Sequence, residues 1–136
     1  MFGVSKPVVV GTSFGGSVAQ RYLARHPHHA GAAVLSGTSP RLDLEIIGAS
    51  FARLGGEEAG VTARRFLSGD ASVAEEFNAL CLPLYSTRPL DPEVLGRIEM
   101  RPDVLAHFMD EWNTMDLRDG LDHVACPVTA LAGGRD

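Results

Sequence analysis

Residues 8–20 read VVVGTSFGGSVAQ, three valines running into glycines that flank a serine. The valine run is short, apolar and β-branched, the pattern of a strand buried under helices on both faces of a parallel sheet. A strand is therefore predicted over residues 8–10, and a helix over residues 15–26 follows almost without a loop. In that helix Val18, Ala19, Tyr22 and Leu23 recur at helical spacing, Gln20, Arg21 and Arg25 fall between them, and Pro27 marks the stop. At ~3.6 residues per turn this makes about three turns. GAAVLSG at residues 31–37 is a second apolar run, so residues 7–37 read as a strand–helix–strand unit whose crossover should be right-handed. The fold class that follows is α/β.

Beyond this unit the periodicity changes. DLEIIGASFARLG, EEAGVTARRFLSG, SVAEEFNALCLPLY, PEVLGRIEM and PDVLAHFMDEWNTM all carry helical spacing, separated by Gly, Pro or Asp/Ser punctuation. CPVTALAGG then returns to a strand with proline at its first position, where no ladder bond is lost. The organisation expected is a core unit at 1–39, a mostly helical insertion at 40–123, and a core strand at 124–136 that ends on Asp136. No repeat or low-complexity tract interrupts it.

At 136 residues, 45% hydrophobic and 21% charged, the chain has the make-up of one globular domain. It contains no apolar run of about 18 residues, and its N-terminus MFGVSKPVVVG lacks the pattern of a signal peptide. A cytoplasmic protein with no membrane partner is expected. All seventeen acids fall from Asp43 onward, whereas Lys6, Arg21, Arg25 and Arg41 precede them. That bias disfavours nucleic acid, whose phosphates need clustered Lys and Arg. It suits a cationic ligand, or simply solvates helix surfaces. Cys81 and Cys126 lack ligand spacing, so buried free thiols are expected and no metal or cofactor is implied.

Gly11-Thr12-Ser13-Phe14-Gly15 fits G-x-S-x-G, in which the serine sits on a sharp strand-to-helix turn with its hydroxyl projecting. Gly11 and Gly15 stand where a Cβ should press on the turn or on the neighbouring strand, and Gly16 lets the helix start close to the sheet. The helix N-terminus beneath Ser13 offers backbone N–H groups, so the Phe14 amide can donate to the oxyanion formed when Ser13 attacks a carbonyl. With glycine and serine each at ~7% of residues, the bare pattern arises by chance in roughly a few per cent of chains this long. Its weight comes from context, a strand before it and a helix after. A phosphate loop does not fit the same residues, because neither GxxxxGK[ST] nor GxGxxG is present. The bland alternative is a glycine-rich turn with an idle serine.

GTSFGGSVAQRYLARHP, AAVLSGTSP and CPVTALAGGRD resemble the α/β-hydrolase superfamily, and LCLPLYSTRP, RPDVLAHF and TMDLRDGL are similar to proline iminopeptidases. The resemblance spans essentially the whole chain. It implies a partial α/β-hydrolase fold in which the helices between about 40 and 123 form a cap, Ser13 is the nucleophile, and GGRD delivers Asp136 as the triad acid. It also implies release of N-terminal proline from a small peptide through an acyl-enzyme on Ser13. The pyrrolidine nitrogen of that substrate is cationic, and Glu111 beside Trp112 in FMDEWNTMD is the first candidate to neutralise it, because an acid next to an aromatic face suits a charged ring. Asp110 and Asp116 are alternatives, and Glu111 could equally be an ordinary exposed helix acid. Trp112 and Phe108, four apart on one face, read as core or as pocket.

Superfamily members order their triad Ser, Asp or Glu, then His, and no histidine follows Asp136. His26, His28 and His29 end the first helix away from Ser13, His107 falls in the cap segment, and His123 precedes the last strand. The chain is therefore expected to be an internal fragment of a longer hydrolase, inactive alone, with a bare edge on the strand before Ser13. Two other readings stay open. One is an esterase, lactonase or carbon–carbon bond hydrolase of the same fold, and the other a non-enzymatic binding module on that scaffold. Oligomeric state is not readable from these residues.

Overall fold

The computed structural model describes residues 3–88, 91–93, 97 and 102–133. The chain divides into two compact units, one of Met1–Leu42 with Met115–Asp136 and the other of Asp43–Thr114. The first unit holds strand β1 (Val8–Thr12), helix α1 (Phe14–Arg25) and strand β2 (Ala32–Ser36), to which the later chain adds a short helix, Arg118–Leu121, and strand β3 (Val128–Leu131). The sheet is parallel in the order β1-β2-β3. Thr12 pairs with Ser36 and Ser36 with Leu131, so the carboxyl ends of all three strands lie in one row. Parallel neighbours need a long connection, and α1 is the crossover between β1 and β2.

The valine run predicts a strand buried on both faces, and the structure corrects this. Val8 and Val10 are 63% and 67% exposed. Val9 packs with the buried Leu23, Ala30 and Ala33, and Gly11 lies under α1. Successive side chains of a strand point to opposite faces, and among the described residues α1 covers one of them. In the order found, β1 is an edge strand of the described sheet.

The helix needs a similar correction. Its buried face is Gly16, Ala19, Gln20 and Leu23 with Ser17 beside them, while Val18 is 56% exposed and Gln20 only 2%. Residues 16, 19, 20 and 23 are spaced i, i+3, i+4 and i+7, a complete helical stripe. Gly11 of β1 and Thr38 after β2 lie against this stripe, and Val18 is turned away although it is the more apolar residue.

The second unit is helical where described, as the periodicity predicts: α2 (Leu44–Gly55), α3 (Glu57–Leu67), α4 (Ala74–Leu80) and α5 (Pro102–Thr114), with single 3-10 turns at Ala71–Val73 and Leu82–Tyr85; the helix expected in PEVLGRIEM falls largely outside the described residues. The Asp43 carboxylate caps α2 by accepting the Ile46 N–H at 3.2 Å. Gly56, at φ 91°, turns the chain from α2 into α3. A Cβ on Gly60 would stand 2.7 Å from the Gly48 carbonyl oxygen and from Ala52 Cβ, so the two helices touch backbone to backbone. Ala59, Ala63, Phe77 and Cys81 form the core of this unit, with Phe51, Phe66, Leu80 and Leu84 around them. Phe66 stacks on Phe77 at 4.2 Å between ring centroids. The short Arg118–Leu121 helix, inside the stretch predicted as insertion, belongs to the first unit and touches α1, where a Cβ on Gly120 would be 3.0 Å from Ala24 Cβ.

Both cysteines are free, Cys81 buried and Cys126 half-buried. Burial pushes the Cys81 thiol up, the nearby Glu76 adds to it, and the thiol donates to the Ala59 carbonyl at 3.4 Å. Among the described residues no helix is long and apolar enough to cross a membrane.

Phe77 carries the central ring of the α3–α4 core, and its removal leaves a cavity between Phe51 and Phe66. Phe77→Ala is expected to lower unfolding free energy by about 3–5 kcal/mol, read by urea denaturation. A loss below ~1 kcal/mol would mean that this core collapses around the gap.

Candidate active site

Ser13 is the single residue between β1 and α1. Its φ of 52° and ψ of −126° lie outside the regions an L-residue ordinarily occupies. Such strain persists only where neighbouring contacts over-determine it. Three hydrogen bonds do so here: the Ser13 N–H donates to the Ser36 carbonyl at 3.0 Å, and the Ser13 carbonyl accepts from Gly16 N–H at 2.8 Å and Ser17 N–H at 3.3 Å. The residue is thus tied to β2 by its amide and to the first turn of α1 by its carbonyl. Its side chain is exposed. Phe14 is the first residue of α1, where amides have no carbonyl within the helix to meet and the helix dipole is positive. An exposed hydroxyl therefore stands next to a backbone amide suited to developing negative charge.

The three glycines have different reasons. A Cβ on Gly11 would lie 2.6 Å from the Gly15 carbonyl oxygen, 2.7 Å from Gly16 Cα and 2.8 Å from Ala19 Cβ, so Gly11 is what lets α1 cross β1. Gly15 is predicted to be sterically required, and the structure corrects that: a Cβ there meets nothing within 4 Å. Gly16 is required, yet by the loop after β2 rather than by the sheet. A Cβ there would be 2.5 Å from Thr38 Cβ and 2.6 Å from its Oγ1.

The elbow brings Ser13 and Phe14 together, and the remaining candidates lie elsewhere. Asp136 is outside the described residues. β3, which precedes it in the chain, ends at Leu131 in the same row as Thr12 and Ser36, and the Leu131 carbonyl accepts the Gly37 N–H at 2.9 Å. Glu111 and Trp112 sit near the end of α5 in the second unit, Glu111 exposed and Trp112 half-buried, each with interaction partners. The side chain of Asp110 is outside the described residues. Asp116, the other alternative, is engaged by Arg118, whose Nε donates to Oδ1 at 2.9 Å and whose Nη2 donates to Oδ2 at 2.5 Å. His26, His28 and His29 follow the far end of α1, about 18 Å along a twelve-residue helix from Ser13. There the Tyr22 hydroxyl meets His29 Nδ1. His123 is at that end too, since Ala125 N–H donates to the Pro27 carbonyl at 3.1 Å. No group of three or more His, Cys, Asp or Glu among the described residues could hold a metal ion.

A family model described as the alpha/beta hydrolase fold matches residues 1–136. The chain belongs to the alpha/beta hydrolase fold family. Comparison with curated proteins returns no match. Membership supports a hydrolase-type function, and within this family the G-x-S-x-G turn is where a nucleophile is looked for. Thr38 lies against Gly16 in the first turn of α1 and Gln20 donates to it, and the motif points to neither. The signal available was a glutamine four residues after Gly16, in a stripe whose other members are Gly, Ala and Leu.

Gly11→Ala should destabilise the protein severely and Gly15→Ala hardly at all, measured as the shift in thermal midpoint; equal shifts would show that α1 does not rest on Gly11. At Asp116, hydrogen bonds from the Arg118 side chain, then from its backbone N–H, hold the carboxyl down at about 2. A depressed folded-state value means that the pair's stabilisation is fully present above the ordinary carboxylate value of 3.8 and is lost as pH falls through about 2. NMR titration should find this carboxyl near 2, and Arg118→Ala should move it upward; no movement would separate the two groups in solution.

Proposed function

We propose that this chain carries the nucleophile of a serine hydrolase resembling proline iminopeptidases, which releases N-terminal proline from small peptides. The observation that carries the reading is the backbone of Ser13, held at positive φ between strand and helix with its side chain exposed. In the proposed reaction Ser13 Oγ attacks the prolyl carbonyl, and the Phe14 N–H stabilises the resulting oxyanion. A histidine takes the serine proton and returns it to the leaving amine, leaving a prolyl-enzyme ester that water cleaves. Asp136 is assigned to orient that histidine. His26, His28, His29 and His123 lie at the far end of α1 from Ser13 and His107 lies on α5 in the second unit, so none of them is assigned the base role. Glu111 and Trp112 are assigned to the charged pyrrolidine nitrogen of the substrate. The acidic balance of the chain from Asp43 onward suits that cation.

The test uses the intact protein. A fluorophosphonate should label Ser13, found by peptide mapping, and Ser13→Ala should lower kcat by about 10³-fold or more. A proline anilide and a simple aryl ester separate the substrate classes, since ester cleavage without anilide cleavage would replace the peptidase reading with an esterase. Glu111→Gln should raise KM for the proline anilide about tenfold with little change in kcat, the mark of lost ground-state binding. An unlabelled Ser13 would favour a binding module on this scaffold.

A further inference from the structure

Gln20 is 2% exposed on α1, and a buried amide is retained only where it has a partner. Its Nε2 donates to Thr38 Oγ1 at 3.4 Å. That distance is long for such a bond, so the contact gains its effect from its setting. Thr38 also lies against Gly16, one turn of α1 before Gln20, with no room there for a Cβ. The Thr38 side chain is therefore held at two points by the face of the helix that begins after Ser13.

Thr38 belongs to the loop that leaves β2. Ser36, two residues earlier, supplies the carbonyl for the Ser13 N–H, and Gly37, at φ 53°, donates its N–H to the Leu131 carbonyl at 2.9 Å. The contacts close a ring: Ser13 to Ser36, along the loop to Thr38, across to Gly16 and Gln20, and back through the Gly16 and Ser17 amides to the Ser13 carbonyl. A strained φ at Ser13 needs closure of this kind.

We propose that Gln20 and Thr38 are positioning residues for Ser13, clamping the loop after β2 onto the first turns of α1 and so fixing the direction of the Ser13 hydroxyl relative to the Phe14 N–H. The inference rests on Ser13 being the nucleophile. A misdirected hydroxyl slows attack without weakening substrate binding.

The experiment measures kcat, KM and the rate of fluorophosphonate labelling of Ser13 in the intact protein, at a temperature where circular dichroism shows each variant folded. Gln20→Leu and Thr38→Val should each lower kcat and the labelling rate about tenfold with KM within about twofold, because both remove the bond and keep the bulk. Thr38→Ser, which keeps the hydroxyl, should rescue most of both rates. If Gln20→Leu does not fold, Thr38→Val carries the same test from the loop side. Labelling of both folded variants at the wild-type rate, or a change confined to KM, overturns the clamp. Absence of labelling in the wild-type protein instead overturns the serine-nucleophile reading on which the clamp depends.

Discussion

The close crossing of α1 over β1 at Gly11 is the constraint that organises the sheet unit. The Gly15 carbonyl, Gly16 Cα and Ala19 Cβ all stand within 2.8 Å of where a side chain on residue 11 would begin. Because the helix starts so close to the strand, the chain reverses within one residue, and Ser13 takes the positive φ that the reversal demands. Its N–H then faces β2 and bonds to Ser36 rather than continuing a helix. One short approach between backbones thus fixes the helix, the neighbouring strand and the exposure of a hydroxyl together.

The helical unit reaches close packing by a comparable device. Gly48, Ala52, Ala59 and Gly60 keep side chains small where α2 meets α3, and the volume is made up by the Phe51, Phe66 and Phe77 rings. Dense interiors gain from many small dispersion contacts, which explains the pairing of a glycine–alanine seam with aromatic filling. The acids of this unit are placed for local work as well as for net charge. Asp43 caps α2, and Asp70 accepts from Arg65 and from the Ser72 N–H beyond α3.

Much of this order is legible in local patterns. Strand, turn and helix at residues 8–26 depend on neighbours within a few positions, namely the valines, the glycines and the proline at 27. The helices of the second unit are legible for the same reason, since a 3.6-residue period and a glycine or proline stop are short-range properties. Ser13 and the Phe14 amide can be named because the motif specifies its own local geometry.

Residue order alone therefore marks where elements begin and end, and that a serine stands at a strand–helix junction. Which faces are covered was settled only by packing: Val18 is exposed and Gln20 buried, Val8 and Val10 lie open beside a packed Val9, and Gly15 is free to carry a side chain where Gly16 is not. The reason is physical. Periodicity locates a stripe, but burial depends on what lies against it, and for Gln20 and Gly16 that neighbour is Thr38, eighteen residues beyond the glutamine.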